Sequence, residues 1–175
     1  MIGSDKANVL SSQFFFRSVF DEVAQRYPDI ESGHQYVDTT AFDLARCPWR
    51  YDVIPADNQF GDILPDICAA LMGGMGMSSS GEMGEHHAVF QPRHGSAPDI
   101  TGQGKANPTG IILSNAIMLN CLGDKISKPE WIKAAGLLGS AVEAAYATGD
   151  LLPYELGDQS GTFAIMDLVG KKLSA

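Results

Sequence analysis

The apolar segment from Thr109 to Leu122 constrains the fold more than any other feature of this sequence. It follows Asn107-Pro108, where an amide side chain can cap a helix and proline suits the first helical position. We therefore predict a helix that begins here and ends at Gly123. Because this helix is apolar on nearly all faces, we expect it to be buried inside a larger structure of sheets and helices.

Few segments favour β-strands: the β-prone runs are Gln35–Val37, Tyr51–Ile54 and Ala88–Phe90. Helices alternate with these runs, so the sequence predicts the α/β class. Three or four strands provide little sheet for the amount of apolar helix, which suggests that a partner segment is missing. The other helices are predicted from hydrophobic spacing, caps and breakers over residues 10–27, 39–46, 62–72 and 127–149, the last opened by a capping box at Ser127–Glu130.

The segment Gly73–Gly81 is the richest in glycine and serine, and we predict that it separates two lobes, residues 1–72 and residues 73–175. Each part contains one of the two groups of polar residues that can support chemistry.

Composition excludes several classes of function. The net charge is −9 and the 12 basic residues form no cluster, so we expect no nucleic-acid binding. The longest apolar run, Gly110–Leu119, is interrupted by Ser114 and Asn115, so we expect no membrane span. Three cysteines, with no C-x-x-C pair, indicate a reducing compartment, which we take to be the cytoplasm.

Two aspartates form the first candidate site. Asp62 and Asp66 lie one turn apart if a helix begins near Asp62, so their carboxylates project from one face. Hard oxygen ligands at this spacing suit Mg²⁺ or Mn²⁺, with water and substrate in the remaining positions. The alternative interpretation is that Asp62 is an N-cap and Asp66 a solvated residue of the first turn.

A loop from Pro92 to Pro108, rich in glycine, proline and aspartate, forms the second candidate site. Glycine and serine let the backbone approach phosphate oxygens, and an acidic residue such as Asp99 can accept hydrogen bonds from both ribose hydroxyls. The spacing fits neither a P-loop nor a G-x-G-x-x-G fingerprint. From the residues alone, an ordinary surface loop is the favoured interpretation.

Four motifs resemble, in order and spacing, those of the β-decarboxylating dehydrogenases, the family of isopropylmalate, isocitrate and tartrate dehydrogenases. Similarity runs from about Asp5 to the C-terminus and covers the carboxyl-terminal half of that family. The motifs are Lys6-Ala7-Asn8-Val9, Tyr36-Val37-Asp38, the run from Asn58 through Phe60-Gly61-Asp62-Ile63-Leu64 to Asp66, and the run from His94 through Ile100 to Thr109.

The resemblance implies a two-lobed fold with one continuous sheet, distinct from the Rossmann fold. Residues 1–72 would be the later part of the second, dimerisation and metal-binding lobe, and residues 73–175 the returning part of the first, NAD-binding lobe. The enzymes act as homodimers. The family's N-terminal half, with the arginines that hold substrate carboxylates, is absent from this sequence, so a separate N-terminal half is a possible partner.

The resemblance also implies an activity: NAD-dependent oxidation and decarboxylation of a 3-substituted malate-type acid, of the 3-isopropylmalate, isocitrate or tartrate class, with Mg²⁺ or Mn²⁺. Asp62 and Asp66 of one subunit and Asp38 of the other would bind the metal. Lys6 would act as the base. Asp99-Ile100 replaces the Lys-Tyr of NADP-dependent relatives, which favours NAD. The implied cofactor residues are Asn8, His94, Gly95, Ser96, Ala97, Asp99, Ile100 and Asn107.

A second hypothesis is that the chain is a truncated, non-catalytic product that acts as a nucleotide-binding or subunit-pairing module. The motivation is the missing arginines and the small number of strands. Binding of NAD without turnover would favour this hypothesis.

Overall fold

The computed structural model describes residues 1–157 and 160–174. The chain divides into two compact units, Met1–Leu71 and Met72–Ala175, where the sequence predicted a boundary after Met72. Among the described helices, none combines the length and the hydropathy needed to cross a bilayer.

The first unit contains two strands and three helices. The strands β1 and β2 pair in parallel, with Ile2 opposite Gly33 and Asp5 opposite Tyr36. The helix α1 packs beside β1, and α2 and α3 pack on each other. The elements are β1 (Ile2–Asp5), α1 (Ser11–Ala24), β2 (Gly33–Tyr36), α2 (Val37–Arg46) and α3 (Asn58–Leu71), with a 3₁₀ turn at Pro48–Arg50.

The predicted strand at Tyr51–Ile54 is wrong, since this segment forms no regular strand. Its extended backbone still pairs with β1, where the Ile2 N–H donates to the Val53 carbonyl at 3.0 Å and the Ser4 N–H donates to the Pro55 carbonyl at 2.8 Å. Pro55 has no N–H to donate, so a ladder cannot continue through this residue.

The helix α3 begins four residues earlier than predicted. The Asp57 carboxylate accepts a hydrogen bond from the Phe60 N–H at 3.2 Å, which caps the helix. Asp62 is therefore inside the helix, and its interpretation as an N-cap is wrong. Pro65 also lies inside the helix and not in its first turn. It cannot donate to the Gly61 carbonyl, so one hydrogen bond of the ladder is missing there.

The second unit contains an antiparallel hairpin and three helices. Ser79 pairs with Pro92 and Met83 with Ala88, so β4 confirms the predicted strand. The last helix, α6, was not predicted. The elements are β3 (Ser79–Met83), β4 (Ala88–Pro92), α4 (Thr109–Lys125), α5 (Pro129–Tyr146) and α6 (Thr162–Leu173), with 3₁₀ turns at Met75–Met77, Pro98–Ile100 and Tyr154–Leu156.

Two details around α4 and α5 differ from prediction. Gly123 does not end α4, which continues to Lys125. A Cβ on Gly123 would lie 2.7 Å from Cγ1 of Ile132, so glycine here permits close packing of the next helix. The capping box at Ser127–Glu130 does not form, because Ser127 has a left-handed backbone with φ of 53° and α5 has no side-chain cap. The segment Gly73–Gly81, which was predicted to separate the two lobes, includes the first residues of β3, which pair with β4.

The apolar core of the second unit lies between α5 and α6 and includes Ala141, Val142, Ala145, Ile165 and Val169. The helix α4 buries mainly small side chains, and Ile111 on it is 41% exposed. The prediction that α4 is buried on nearly all faces is therefore wrong for this chain, because a two-stranded hairpin and α5 cannot surround it.

The described strands form two separate two-stranded sheets, one in each unit. Within residues 1–157 and 160–174, the strands thus do not form the single continuous sheet that the family resemblance implies. A two-stranded sheet is marginal without support. Here α1 packs on β1, and α4 packs on both β3 and β4.

Candidate functional site

Asp5, at the end of β1, is a fully buried carboxylate. It accepts two hydrogen bonds of 2.8 Å from the Arg17 guanidinium and one of 2.9 Å from the Ala7 N–H. Burial raises the pKa of Asp5, but the hydrogen bonds from Arg17 and Ala7 outweigh it and leave the pKa below its ordinary value. The backbone on both sides of Lys6 is therefore fixed by a charged, fully bonded anchor.

Lys6 and Asp38 are brought together as an ion pair, with Nζ 2.5 Å from Oδ1. The Asp38 side chain is 64% exposed and belongs to the first turn of α2. The hydrogen bond from Lys6 holds the pKa of Asp38 below its ordinary value. Two residues with different predicted roles, base and metal ligand, are thus adjacent in one copy of the chain.

The side chains beside this pair are also charged or aromatic. Nζ of Lys6 lies 5.9 Å from the Tyr36 ring centre, and the Arg17 guanidinium lies 5.3 Å from it. Asn8 is exposed in the turn after Lys6. Nothing in the structure tests the predicted cofactor contact of Asn8.

Asp62 and Asp66 are both exposed and lie four residues apart in α3, as predicted. Residues at this spacing share one face of a helix, and exposed carboxylates suit a hard divalent cation. In the part of the chain that the structure describes, no three His, Cys, Asp or Glu side chains form a metal-binding group. Asp38, Asp62 and Asp66 therefore make no complete site within one copy, and their sharing between subunits stays a prediction.

A cavity of about 610 Å³ lies entirely within the second unit. Of the predicted cofactor residues in the loop, only Asp99, which the sequence had proposed for the ribose, does not line the cavity. The predicted residues on its wall are His94, Gly95, Ser96, Ala97, Ile100 and Asn107, and other lining residues include Gly76, Gly104, Lys105, Tyr154, Glu155 and Thr162.

The cavity wall has an unusual backbone. Ala97 is left-handed with φ of 42°, a conformation that residues with a side chain rarely adopt. Gly102 and Gly104 also have positive φ, of 74° and 66°, which only glycine adopts at no steric cost. Strained residues of this kind cluster at ligand sites, so the backbone agrees with a binding role for the loop.

The first residue of α6, Thr162, is hydrogen-bonded to the second half of the loop. Thr162 donates from its N–H to the Gly104 carbonyl at 2.8 Å and from its hydroxyl to the Ala106 carbonyl at 2.5 Å. Nζ of Lys105 lies 4.4 Å from the centre of the Tyr154 ring. These contacts join the loop to a helix that the sequence analysis did not predict.

Glu155 is the main residue of this cavity that sequence reasoning missed. Its carboxylate accepts hydrogen bonds from the Gly76 N–H at 3.1 Å and from Nδ2 of Asn107 at 2.9 Å. Asn107 in turn accepts a hydrogen bond from the Thr109 N–H at 3.0 Å, as predicted for a helix cap. No local motif connects residues this distant in sequence, so only a tertiary contact reveals Glu155.

The α/β fold defines the class of the protein, because a solved dehydrogenase has a similar fold. The crystal structure of isocitrate dehydrogenase from Methylococcus capsulatus matches with a TM-score of 0.88 and 33% identity, over 99% of this chain and 50% of that chain. The family model for isocitrate/isopropylmalate dehydrogenase matches residues 1–169. The chain therefore belongs to the isocitrate/isopropylmalate dehydrogenase family, a family of β-decarboxylating dehydrogenases.

Curated relatives agree with this assignment. The 3-isopropylmalate dehydrogenase of Burkholderia lata is 40% identical over 170 residues, 97% of this chain and 47% of the relative. That of Nitratidesulfovibrio vulgaris is 46% identical over 149 residues, 85% of this chain and 41% of the relative. The chain thus spans about half the length of the curated relatives it matches.

Proposed function

We propose that this chain is the carboxyl-terminal part of an NAD-dependent and Mg²⁺- or Mn²⁺-dependent dehydrogenase that oxidises and decarboxylates a 3-substituted malate-type acid. The observation that carries the proposal is the cavity of the second unit, whose wall contains the predicted cofactor loop from His94 to Asn107. Its volume lies in the range of ordinary small-molecule sites.

The cavity would bind the dinucleotide. Its glycines and the left-handed Ala97 allow the backbone to approach a phosphate closely, while His94 and Asn107 provide polar side chains. Bound NAD would accept the hydride removed from the substrate. Asp99 does not line the cavity. Its predicted role in binding the ribose remains part of the proposal.

The first unit would provide the proton transfer and the metal ligands. Lys6, held in place by the Asp5–Arg17 pair, would accept the proton of the substrate hydroxyl. Asp62 and Asp66 of one subunit and Asp38 of a second would hold the divalent ion, and their hard oxygens fit Mg²⁺ or Mn²⁺. That ion would polarise the forming ketone and stabilise the charge left after loss of CO₂. Ligation of a metal by Asp38 would loosen its ion pair with Lys6.

The substrate would be 3-isopropylmalate, isocitrate or tartrate. The curated relatives bear the name 3-isopropylmalate dehydrogenase, which favours the first of these. Because the relatives are about twice as long, we propose a complementary amino-terminal half and a second copy of the chain as partners. A homodimer working in the cytoplasm, distinct from the Rossmann enzymes, is the assembly we propose.

The first experiment measures NAD binding to the 175-residue chain by isothermal titration calorimetry. The wild-type chain should bind NAD, and His94→Ala should weaken binding by about tenfold, the effect of losing one good polar contact. His87→Ala, an exposed histidine of the β3–β4 hairpin, is the matched control and should bind like wild type. Absence of wild-type binding would refute the cofactor assignment.

The second experiment tests the reaction. The chain is co-expressed with the amino-terminal half of a 3-isopropylmalate dehydrogenase, and NADH formation is measured with 3-isopropylmalate, isocitrate and tartrate. Activity should require Mg²⁺ or Mn²⁺ and should be lost in Asp62→Asn and Asp66→Asn, whereas Asp29→Asn, an exposed aspartate of the same unit, should be active. Turnover that persists with a chelator would refute the metal role.

A second candidate function follows from the length of the match. A chain that spans about half of its relatives can retain the cofactor cavity, which lies within one unit, without a complete active site. It would then be a nucleotide-binding or subunit-pairing module. Binding of NAD without turnover in the co-expressed protein would support this function over catalysis.

A further inference from the structure

The cavity of the second unit contains a carboxylate that no motif in its loop explains. Glu155 lies on the 3₁₀ turn Tyr154–Leu156, 48 residues after Asn107 and 79 residues after Gly76. All three residues line the cavity, and the carboxylate accepts one hydrogen bond from each of the other two. One side chain thus connects three separate segments of the cavity wall.

Hydrogen bonds fix the amide of Asn107 in one orientation. Its Nδ2 donates to Glu155 at 2.9 Å and contacts the Met77 sulfur at 3.3 Å, while its Oδ1 accepts from the Thr109 N–H at 3.0 Å. A flipped amide would place a donor against the Thr109 N–H and an acceptor against the carboxylate. Because Asn107 is only 8% exposed, water cannot readily compensate for such a flip.

The glycine turn packs directly against the same carboxylate. A Cβ on Gly76 would lie 2.8 Å from Oε1 of Glu155, and a Cβ on Gly74 would lie 2.8 Å from its Cδ. Gly74 also has a positive φ of 128°, a backbone conformation that residues with a side chain rarely adopt. The Glu155 carboxylate is therefore packed against the glycine turn as well as hydrogen-bonded to it.

We propose that Glu155 is a positioning residue for the dinucleotide, acting through the Asn107 amide and the Gly76 turn. This inference rests on the proposed NAD-binding function. Glu155 is itself an exposed residue that also lines the cavity. Lys105, the cation on the same wall, lies against the Tyr154 ring, and no ion pair between Lys105 and Glu155 is present among the described contacts.

Calorimetry of NAD binding to the full chain tests the proposal with Glu155→Ala, Glu155→Gln, Asn107→Ala and the Glu155→Ala/Asn107→Ala double variant. We expect Glu155→Ala to weaken binding by about tenfold, because the amide and the turn lose their acceptor. Glu155→Gln should fall between Glu155→Ala and wild type, since a glutamine oxygen can accept only part of what a carboxylate accepts. Glu143→Ala, an exposed acid on α5, is the control and should bind like wild type.

The double variant separates positioning from a general structural effect. If Glu155 acts in part through Asn107, removing Glu155 from the Asn107→Ala chain should weaken binding less than removing it from the wild-type chain, and the remaining loss is the contribution of the Gly76 turn. The proposal would be overturned if the factors by which the two substitutions weaken NAD affinity simply multiplied in the double variant. It would also be overturned if Glu155→Ala bound NAD with wild-type affinity. Thermal unfolding without ligand accompanies each titration, since a merely structural role lowers the midpoint but leaves the affinity of the folded protein unchanged.

Failure of this proposal and failure of the proposed function give different results. If the wild-type chain binds no NAD, the cofactor assignment is wrong and this inference falls with it. If the wild-type chain binds NAD and the Glu155 variants bind equally well, only the positioning role of Glu155 is overturned.

Discussion

The candidate sites of the two units consist of different kinds of groups. In Met1–Leu71 the site consists of charged side chains, the Asp5–Arg17 and Lys6–Asp38 pairs, and buried polar residues such as Ser4 and Thr40 lie beside them. In Met72–Ala175 the site is a cavity whose wall includes four glycines, Gly76, Gly95, Gly102 and Gly104, and the same unit has an apolar core between α5 and α6. We therefore expect the first unit to be most sensitive to substitutions that remove charge, and the second unit to substitutions that add atoms to its glycines.

The largest expected effect is on the buried charge of the first unit. Asp5→Ala removes the partner of Arg17 and should lower the free energy of unfolding by about 3–5 kcal/mol, since an unpaired, partly buried charge is left behind. Urea denaturation measures the loss, and hydrogen exchange by mass spectrometry shows whether segments of Met1–Leu71 are the ones that open.

Asp5→Asn keeps an acceptor for Arg17 and should cost less than Asp5→Ala. Asp29→Asn, on the exposed surface of the same unit, should leave the urea midpoint unchanged. If hydrogen exchange in Asp5→Ala increased equally in both units, the proposed difference between the two units would be wrong.

The next effect is steric and belongs to the second unit. A Cβ on Gly110 would lie 2.7 Å from the Ser78 carbonyl oxygen, so Gly110→Ala should cost about 1–3 kcal/mol by forcing backbone apart. Gly136→Ala, a helical glycine with open space around it, should instead stabilise the chain by about 0.5–1 kcal/mol. Thermal unfolding of both variants measures the difference, and a loss in Gly136→Ala would contradict the steric explanation.

A smaller effect is expected from one buried hydrogen bond beside the cavity. The Tyr146 and Thr109 hydroxyl oxygens lie 2.7 Å apart, and Thr109 is fully buried. Tyr146→Phe should cost about 1 kcal/mol, because the threonine hydroxyl loses its partner. Urea denaturation checks this value against Tyr27→Phe, whose side chain is exposed in the first unit and whose replacement should have no measurable effect.

The smallest effect is the response of the first unit to acid. The folded-state pKa of Asp5 is below its ordinary value of 3.8, so the unfolded chain binds more protons in this range. Its contribution to stability is complete above the ordinary pKa and is lost as the pH falls through the lowered folded-state pKa. Between about pH 5 and about pH 3, urea midpoints of wild type should therefore fall more steeply than those of Asp5→Asn.

Asp38 has the same sign of dependence, because its pKa is also lowered by Lys6, but the pair is exposed and screened by solvent. Asp38→Asn should therefore leave the acid dependence of the urea midpoint close to that of wild type. If Asp38→Asn flattened the profile as much as Asp5→Asn, burial would not be the property that distinguishes the two carboxylates.

Local chemistry made several parts of the fold predictable. The start of α4 follows from Asn107-Pro108, and apolar residues at three- and four-residue spacing located α1. Hairpin pairing confirmed Ala88–Phe90 as a strand. The predictions that were wrong concern residues whose role depends on a neighbour elsewhere: Gly123 packs against Ile132 in place of ending a helix, and Asp57 caps α3 in place of Asp62.

The sequence by itself determined the family and the α/β class, because these depend on motifs whose residues are close together in the chain. The cofactor role of the loop from His94 to Ile100 was predicted in the same way and stays a prediction. Only the tertiary structure decided that Asp5 is anchored by Arg17 and that Glu155 joins Asn107 to Gly76. The physical reason is that a carboxylate acquires its role from the donors around it, and folding brings those donors from distant positions in the chain.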